Sequence, residues 1–224
     1  MRKFLLIATI LFSSICQGQT PLHKLIRKKA SVGYTDSSTF NFSAAAAAVT
    51  GSTNASGDPK TGVRTATDGT TGWGISSIAT ANWHPYSVNS AYNGSGVTAG
   101  NFIPGLSYLA YNNSWFNYDN PAGAADFDEA SPQVRITGLN SSYTYDILVT
   151  GSIGSLGFDG NPTIYRVKGA SLSSSQSISA NTTNVTTGAT FTGIQPDGSG
   201  YIHIYVNSDG GSILGAISAI RIYH

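Results

Sequence analysis

The stretch QVRITGLNSSYTYDILVTGS, residues 133–152, decides the fold class of this chain. Its first half alternates in polarity and places Val134 and Ile136 on one side. After turn-forming residues at 140–142, the second segment places large side chains on one face at Tyr143, Tyr145, Ile147 and Val149. A period of two residues is typical of a half-buried strand, so the stretch predicts a strand, a tight turn and a second strand.

Similar alternation continues to the end of the chain, in Thr163 to Lys168, Ala189 to Thr192, Tyr201 to Val206 and Ile217 to Tyr223. Turn signals such as Pro196-Asp197-Gly198 and Asp209-Gly210-Gly211 fall between these segments. Short strands at this spacing, with no helices between them, predict an all-β fold of the antiparallel β-sandwich type. No short repeat recurs, which argues against a propeller or a solenoid.

The composition agrees with that fold class. Only 10% of the 224 residues are charged and 26 are glycine, a mixture that disfavours helices. Ala44 to Ala48 favours one or two helical turns or an irregular strand, and residues 51–62 are predicted to form a loop. The length suits one domain, assigned to residues 32–224.

The first residues indicate export. Arg2 and Lys3 precede the short apolar run Phe4 to Phe12, and small or polar residues follow to Gly18. This pattern predicts a signal peptide over residues 1–18 that is too short to span a membrane. The alternative is a lipid anchor at Cys16, which the bulky Ile15 disfavours. We therefore expect a secreted or extracellular protein, with the periplasm and the outer surface as further options, and without cysteine once the peptide is removed.

A basic linker, residues 19–31, follows the predicted signal peptide. Half of the 12 Lys and Arg residues lie before Ala30, at Arg2, Lys3, Lys24, Arg27, Lys28 and Lys29. From Ala30 onward, 6 basic residues face 11 acidic ones, a net charge of −5. A nucleic-acid-binding domain would instead concentrate positive charge on its folded face, so no nucleic-acid partner is expected.

Several motifs together resemble the galactose-binding-domain-like jelly-roll modules of secreted bacterial proteins. They are Asp68 to Ile75, Pro104 with Asn113 to Phe116, Gln133 to Leu139, Tyr143 to Ser152, Thr163 to Val167, Asn181 to Thr183, Phe191 to Asp197 and Leu214 to Ile222. The resemblance covers roughly residues 32–224. It implies a jelly-roll sandwich of the kind that accompanies carbohydrate-active or esterase domains. It also implies that a structural calcium ion is common.

Enzyme signatures are absent from the sequence. There is no GxSxG elbow, HExxH pair, Walker loop or dinucleotide fingerprint. None of the histidines stands at metal-ligand spacing from another: His23, His84, His203 and His224. We expect His203, on the same side of its strand as Tyr201 and Tyr205, to be a surface residue and not a catalyst.

Acidic residues cluster in AADFDEAS at Asp126, Asp128 and Glu129. Oxygen ligands from one loop suit Ca²⁺, so Asp128 and Glu129, with Asp119 as a third, are the predicted ligands of a structural calcium ion. The alternative is a solvated acidic loop without a metal.

Aromatic and amide residues are concentrated between residues 82 and 120. A sugar ring binds with its apolar face on an aromatic ring and its hydroxyl groups on amides or carboxylates. The predicted glycan-binding loop residues are Trp83, His84, Tyr86, Tyr111, Asn113, Asn117 and Tyr118. The alternative for the segment Asn82 to Tyr86 is a turn that Trp83 anchors in the core.

The stretch NNSWFNYD, residues 112–119, combines both interpretations. A sandwich needs large side chains to close its ends, and we expect at least one of Trp115 and Phe116 to be buried. The sequence thus predicts a secreted, non-catalytic carbohydrate-binding module whose partner is a polysaccharide or cell-surface glycan. The alternative is a structural or adhesive surface protein that binds a protein partner, and a polysaccharide-cleaving enzyme is a distant third.

Overall fold

The computed structural model describes residues 34–43, 51–78, 83–87, 102–106, 113–117, 132–152, 162–179, 186–208 and 215–224. The described residues from Thr35 onward belong to one compact unit. The predicted signal peptide, the basic linker and Ala44 to Ala48 lie outside the described residues. A helix with the length and hydropathy to cross a membrane is not found in the described part of the chain.

Every regular element in the described ranges is a strand. The strands are β1 (Ser37–Ser43), β2 (Thr53–Ser56), β3 (Thr65–Thr67), β4 (Gly74–Ile78), β5 (Trp83–Ser87), β6 (Asn113–Asn117), β7 (Gln133–Thr137), β8 (Tyr145–Thr150), β9 (Pro162–Lys168), β10 (Gln176–Ser179), β11 (Ala189–Ile194), β12 (Ile202–Ser208), β13 (Gly215–Ile217) and β14 (Ala219–Tyr223).

These strands form three sheets. The five-stranded sheet has the order β11-β8-β14-β1-β2, the six-stranded sheet β10-β9-β12-β7-β4-β3, and the three-stranded sheet β13-β6-β5. Neighbouring strands are antiparallel except for β1 and β2, which run parallel. The prediction of an all-β, antiparallel sandwich is confirmed, with this one parallel pair as an addition.

One hydrophobic core joins the two large sheets. The five-stranded sheet contributes Phe40, Phe42, Ile147, Val149, Phe191, Ile220 and Ile222, and the six-stranded sheet contributes Ile75, Val134, Ile136, Tyr165, Val167, Ile202, Ile204 and Val206. Alternation explains the contribution of the six-stranded sheet, because every second residue of β7, β9 and β12 points inward. Burial of such a side chain contributes about 1.5–3 kcal/mol relative to leaving it in water.

The strand β8 begins two residues later than its alternation predicts. The backbone N–H of Tyr143 donates to the carbonyl of Asn140 (3.1 Å), so Tyr143 closes the turn and is exposed. The hydroxyl of Tyr145 accepts a hydrogen bond from the N–H of Asn140 (2.9 Å) and holds the same turn against the sandwich. Burial raises the pKa of Tyr145, and the hydrogen bond to Asn140 offsets only part of that effect.

The last predicted strand is divided. Ile217 to Tyr223 was expected to be continuous, but β13 ends at Ile217 and β14 begins at Ala219. Between them, the N–H of Ser218 donates to the carbonyl of Thr150 (2.8 Å) and its carbonyl accepts from the N–H of Phe42 (3.0 Å). The break lets β13 pair with β6 while β14 stays in the five-stranded sheet.

The motif Asp68 to Ile75 is a turn tied to β1. The Asp68 carboxylate accepts hydrogen bonds from the Ser38 hydroxyl (2.5 Å) and the Thr70 N–H (2.9 Å). Partial burial alone would raise the pKa of Asp68, but the hydrogen bonds from Ser38, Thr70 and Thr71 outweigh it and lower that pKa. Trp73 follows this turn and packs into the core, and the Asp68 carboxylate has hydrogen-bond donors within the turn and on β1.

Candidate functional site

Most of the predicted glycan-binding residues fall on two adjacent strands. Trp83, His84 and Tyr86 belong to β5, and Asn113 and Asn117 belong to β6. The segment Asn82 to Tyr86 was predicted to be a loop or a turn, but residues 83–87 form a strand. The aromatic residues of WHPYS suit a strand, and its proline is tolerated because β5 ends the strand order of its sheet.

The register of these strands pairs the two predicted residue types. Trp83 lies directly opposite Asn117, and Ser87 lies opposite Asn113. Residues in such positions have Cβ atoms about 4.5–5.5 Å apart, within reach of one ligand. Aromatic and amide positions that are far apart in the sequence are therefore brought together at one end of the strand pair.

The strand pair is anchored to the sandwich through Trp115, at the centre of β6. Trp115 is fully buried, and its ring lies 4.8 Å from the ring of Phe42 on β1, centroid to centroid. The expectation that Trp115 or Phe116 is buried is confirmed by Trp115. The same burial means that Trp115 contributes to packing and leaves ligand contact to neighbouring residues.

A second anchor holds the three-stranded sheet through β13. The N–H of Ala216 donates to the Thr163 hydroxyl (3.1 Å), and the Tyr165 hydroxyl donates to the Ala216 carbonyl. Complete burial raises the pKa of Tyr165 well above its ordinary value, so this hydroxyl remains a donor across the usual pH range. Both partners lie on β9, so β13 and its neighbour β6 are fixed to the six-stranded sheet.

The predicted site residues fall on both sets of alternate positions of the strand pair. In the backbone register, Trp83 and Asn117 share the alternate positions of Trp115 and stand at one end of the strand pair. His84 and Tyr86 occupy the intervening positions of β5. The end of the strand pair, with Trp83 and Asn117, is therefore the more coherent part of the candidate site.

The remaining predicted site residues lie outside the described residues. These are Tyr111 and Tyr118 of the glycan site and Asp119, Asp128 and Glu129 of the calcium site. Among the residues that the structure does describe, no group of three or more His, Cys, Asp or Glu side chains could hold a metal ion. Calcium binding stays a prediction.

The sequence did not predict a cluster of polar and cationic side chains on the six-stranded sheet, on the face away from the core. The guanidinium carbon of Arg135 lies 4.6 Å from the ring centroid of Tyr201, and His203 Nδ1 lies 2.6 Å from Gln133 Oε1. The register places His203 directly opposite both Arg135 and Lys168. Alternation indicated that Arg135 faces outward, but the pairing of distant strands set its neighbours.

Comparison with known proteins adds no family assignment. No protein-family model matches the chain, and no curated protein matches it. Solved structures with some similarity include the YxiM protein of Bacillus subtilis, at 13% identity and a TM-score of 0.47, with 84% of this chain and 40% of that chain covered. The chain thus spans less than half the length of that protein.

Two further solved structures are shorter matches. One is the family 32 carbohydrate-binding module of Clostridium perfringens NanJ in complex with galactose, at 12% identity and a TM-score of 0.33, covering 67% of this chain and 99% of that chain. The other is the K2 cleaved adhesin domain of Lys-gingipain, at 12% identity and a TM-score of 0.26, with 66% of this chain and 92% of that chain covered. At these scores the likenesses carry no argument, and the fold assignment rests on the strands themselves.

Proposed function

We propose that this chain is a secreted, non-catalytic carbohydrate-binding β-sandwich whose glycan site is built at the end of the β5–β6 strand pair. The observation that carries the proposal is the register of Trp83 opposite Asn117. An indole offers an apolar surface to the axial C–H groups of a pyranose, and a planar amide both donates to and accepts from its hydroxyl groups. One cross-strand pair thus supplies both contacts that a sugar ring requires.

The position of β5 supports access for an extended ligand. β5 is the last strand of its sheet, and no described strand pairs with its second edge. Pro85, at the middle of β5, has no N–H, which disfavours addition of a further strand there. This argues for a ligand that is bound by side chains, such as a glycan, over a partner protein that would add a strand to the sheet. Among the other predicted residues, Asn113 lies at the far end of the pair, and His84 and Tyr86 lie at the intervening positions of β5 and are not assigned to this site. Tyr111 and Tyr118 lie beside the pair in sequence.

Tryptophan fluorescence can monitor the proposed site, because the two tryptophans other than Trp83 are buried. Trp73 and Trp115 are 7% and 0% exposed, and both belong to the core. A glycan that contacts Trp83 should change tryptophan emission, and that change should disappear in Trp83→Ala. The mature chain would be titrated with soluble oligosaccharides and run on affinity gels that contain a panel of neutral and acidic polysaccharides.

We expect Trp83→Ala to weaken glycan binding about tenfold or more, equivalent to about 1.4 kcal/mol or more. Tyr143→Ala is the matched control, because Tyr143 is an aromatic residue, 47% exposed, in the turn before β8 and outside the β5–β6 pair. Equal loss of binding in both variants, or no retardation of the wild-type chain on any polysaccharide, would remove the proposal. The second outcome would favour the adhesive, protein-binding alternative.

We also propose a structural calcium ion held by Asp119, Asp128 and Glu129. Asp119 follows the last residue of β6 by two positions, so a bound ion there would order the chain next to Asn117. A chelator should lower the melting temperature, and Ca²⁺ should restore it. Asp128→Asn with Glu129→Gln should abolish this difference. An unchanged melting temperature with chelator would refute calcium binding and leave the glycan proposal standing.

A further inference from the structure

The face of the six-stranded sheet that points away from the core carries polar and cationic residues. The residues of β7, β9 and β12 alternate between the core and this face, as shown by the inward Ile136, Val167 and Ile204. The alternate positions of the same strands carry Gln133, Arg135, Thr137, Pro162, Ile164, Arg166, Lys168, His203, Tyr205 and Asn207. Four of these are buried, namely Gln133, Ile164, Tyr205 and Asn207, so the accessible part of this face is polar and cationic and consists of Arg135, Thr137, Pro162, Arg166, Lys168 and His203.

The charge on these strands differs from that of the rest of the chain. From Ala30 onward there are 6 Lys and Arg against 11 Asp and Glu. The six strands of this sheet contain three of those cations, Arg135, Arg166 and Lys168, and no Asp or Glu. Positive charge is thus concentrated on one sheet of an otherwise acidic body.

The register arranges part of that charge in a row. Lys168 on β9 lies opposite His203 on β12, and His203 lies opposite Arg135 on β7. Because neighbouring strands are about 4.8 Å apart, the row spans about 10 Å across the sheet. The imidazole between Lys168 and Arg135 separates two cations that would repel each other if they were direct neighbours.

Two contacts hold Arg135 and His203 in place before any ligand arrives. The Arg135 guanidinium stacks over the ring of Tyr201 at 4.6 Å, and its Nε is buried without a hydrogen-bond acceptor. The buried Gln133 amide oxygen lies 2.6 Å from His203 Nδ1, which fixes the orientation of the imidazole ring. A group fixed in this way loses little conformational entropy on binding.

We propose that this row, Arg135, His203 and Lys168, binds an acidic polysaccharide through the carboxylates of its sugar residues. Guanidinium groups match carboxylates in charge and shape, and a lysine reaches a second carboxylate as a mobile point charge. The net charge of −5 beyond residue 30 opposes every polyanion, and it opposes duplex nucleic acid most, because a duplex carries about one negative charge per 1.7 Å of its axis. This second site is independent of the one at β5–β6.

Affinity gels with polygalacturonate and with its methyl-esterified form test the proposal, because esterification removes the negative charge of the carboxylate and leaves the sugar backbone unchanged. We expect stronger retardation by polygalacturonate, and a decrease of that difference with added salt. Arg135→Gln and Lys168→Gln should each weaken polygalacturonate binding about fivefold or more. Arg135→Lys should restore part of the loss, since it keeps the charge and loses the planar fork.

Lys60→Gln is the matched control, because Lys60 is an exposed cation in a loop outside the six-stranded sheet. It should bind polygalacturonate as the wild type does, and so should Trp83→Ala, which affects only the other site. If Arg135→Gln does not fold, as near-ultraviolet circular dichroism would show, the exposed Lys168→Gln carries the test alone. Wild-type binding by Lys168→Gln, equal retardation by the esterified polymer, or tighter binding to duplex DNA would overturn the proposal.

Discussion

The side-chain amide of Gln176 pairs with the backbone of Thr190 as another strand would. Gln176 Oε1 accepts from the N–H of Thr190 (2.9 Å), and Gln176 Nε2 donates to the carbonyl of the same residue. Gln176 lies on β10 and Thr190 on β11, which are the end strands of the six-stranded and five-stranded sheets. One glutamine thus closes an edge of the sandwich and satisfies backbone groups that would otherwise expose an unpaired strand.

Replacing Gln176 with leucine should lower the free energy of unfolding by about 1–3 kcal/mol, because the N–H and C=O of Thr190 lose their partners while the side-chain volume is nearly kept. Urea unfolding followed by fluorescence measures the change. Ser177→Ala, at the neighbouring exposed position of β10, is the control and should stay within about 0.5 kcal/mol of the wild type. Equal stability of Gln176→Leu and Ser177→Ala would show that this contact contributes nothing.

The Asp68 carboxylate should make stability depend on pH. Its pKa is lowered in the folded state, so its contribution is present above the unfolded value near 3.8 and is lost as pH falls through the lower folded value. Asp68→Asn should therefore flatten the stability profile at acid pH, and Ser38→Ala should flatten it less. Both profiles come from urea titrations at a series of pH values between about 2 and 7. Parallel profiles for the wild type and Asp68→Asn would contradict the assignment.

A turn between β11 and β12 depends on a single glycine. Gly200 has a φ of +75°, and a Cβ atom there would lie 2.5 Å from the carbonyl oxygen of Leu139. Gly200→Ala should destabilise the protein by about 1–3 kcal/mol, because alanine adopts this backbone conformation poorly and meets a fixed neighbour. Gly198→Ala, two residues earlier in the same turn and with open space around its Cβ, should have little effect on the melting temperature. A similar loss in both variants would assign the effect to the turn as a whole.

Alternation predicted single strands well and their neighbours poorly. The outward Arg135 and inward Val134 follow from period two alone, and the structure agrees. Alternation also placed Tyr145, Ile147 and Val149 of β8 in the core, but it extended the strand to Tyr143, which instead closes the turn onto Asn140. Register is set by tertiary pairing between distant segments, and no local pattern encodes it.

The same limit applies to the candidate site. Sequence clustering drew attention to Trp83 and Asn117, but their position opposite each other depends on how β5 pairs with β6. The sequence pattern gave no reason to connect Arg135 with His203, which are brought together by the pairing of β7 and β12. Composition therefore predicted residue types for a site, and topology decided which of them meet.

The burial of Trp115 separates packing from ligand contact in a last prediction. Trp115→Phe should reduce stability by about 1–3 kcal/mol by opening a cavity against Phe42, and Trp73→Phe should cost a similar amount in the same core. Only Trp115 shares a strand with Asn117 and lies opposite Pro85 on β5, so only Trp115→Phe should displace the strand pair that carries the proposed glycan site. We therefore expect weaker glycan binding in Trp115→Phe and unchanged binding in Trp73→Phe, measured below the unfolding transition of both variants. If the two variants bind glycan equally well, the strand pair does not position the site through Trp115.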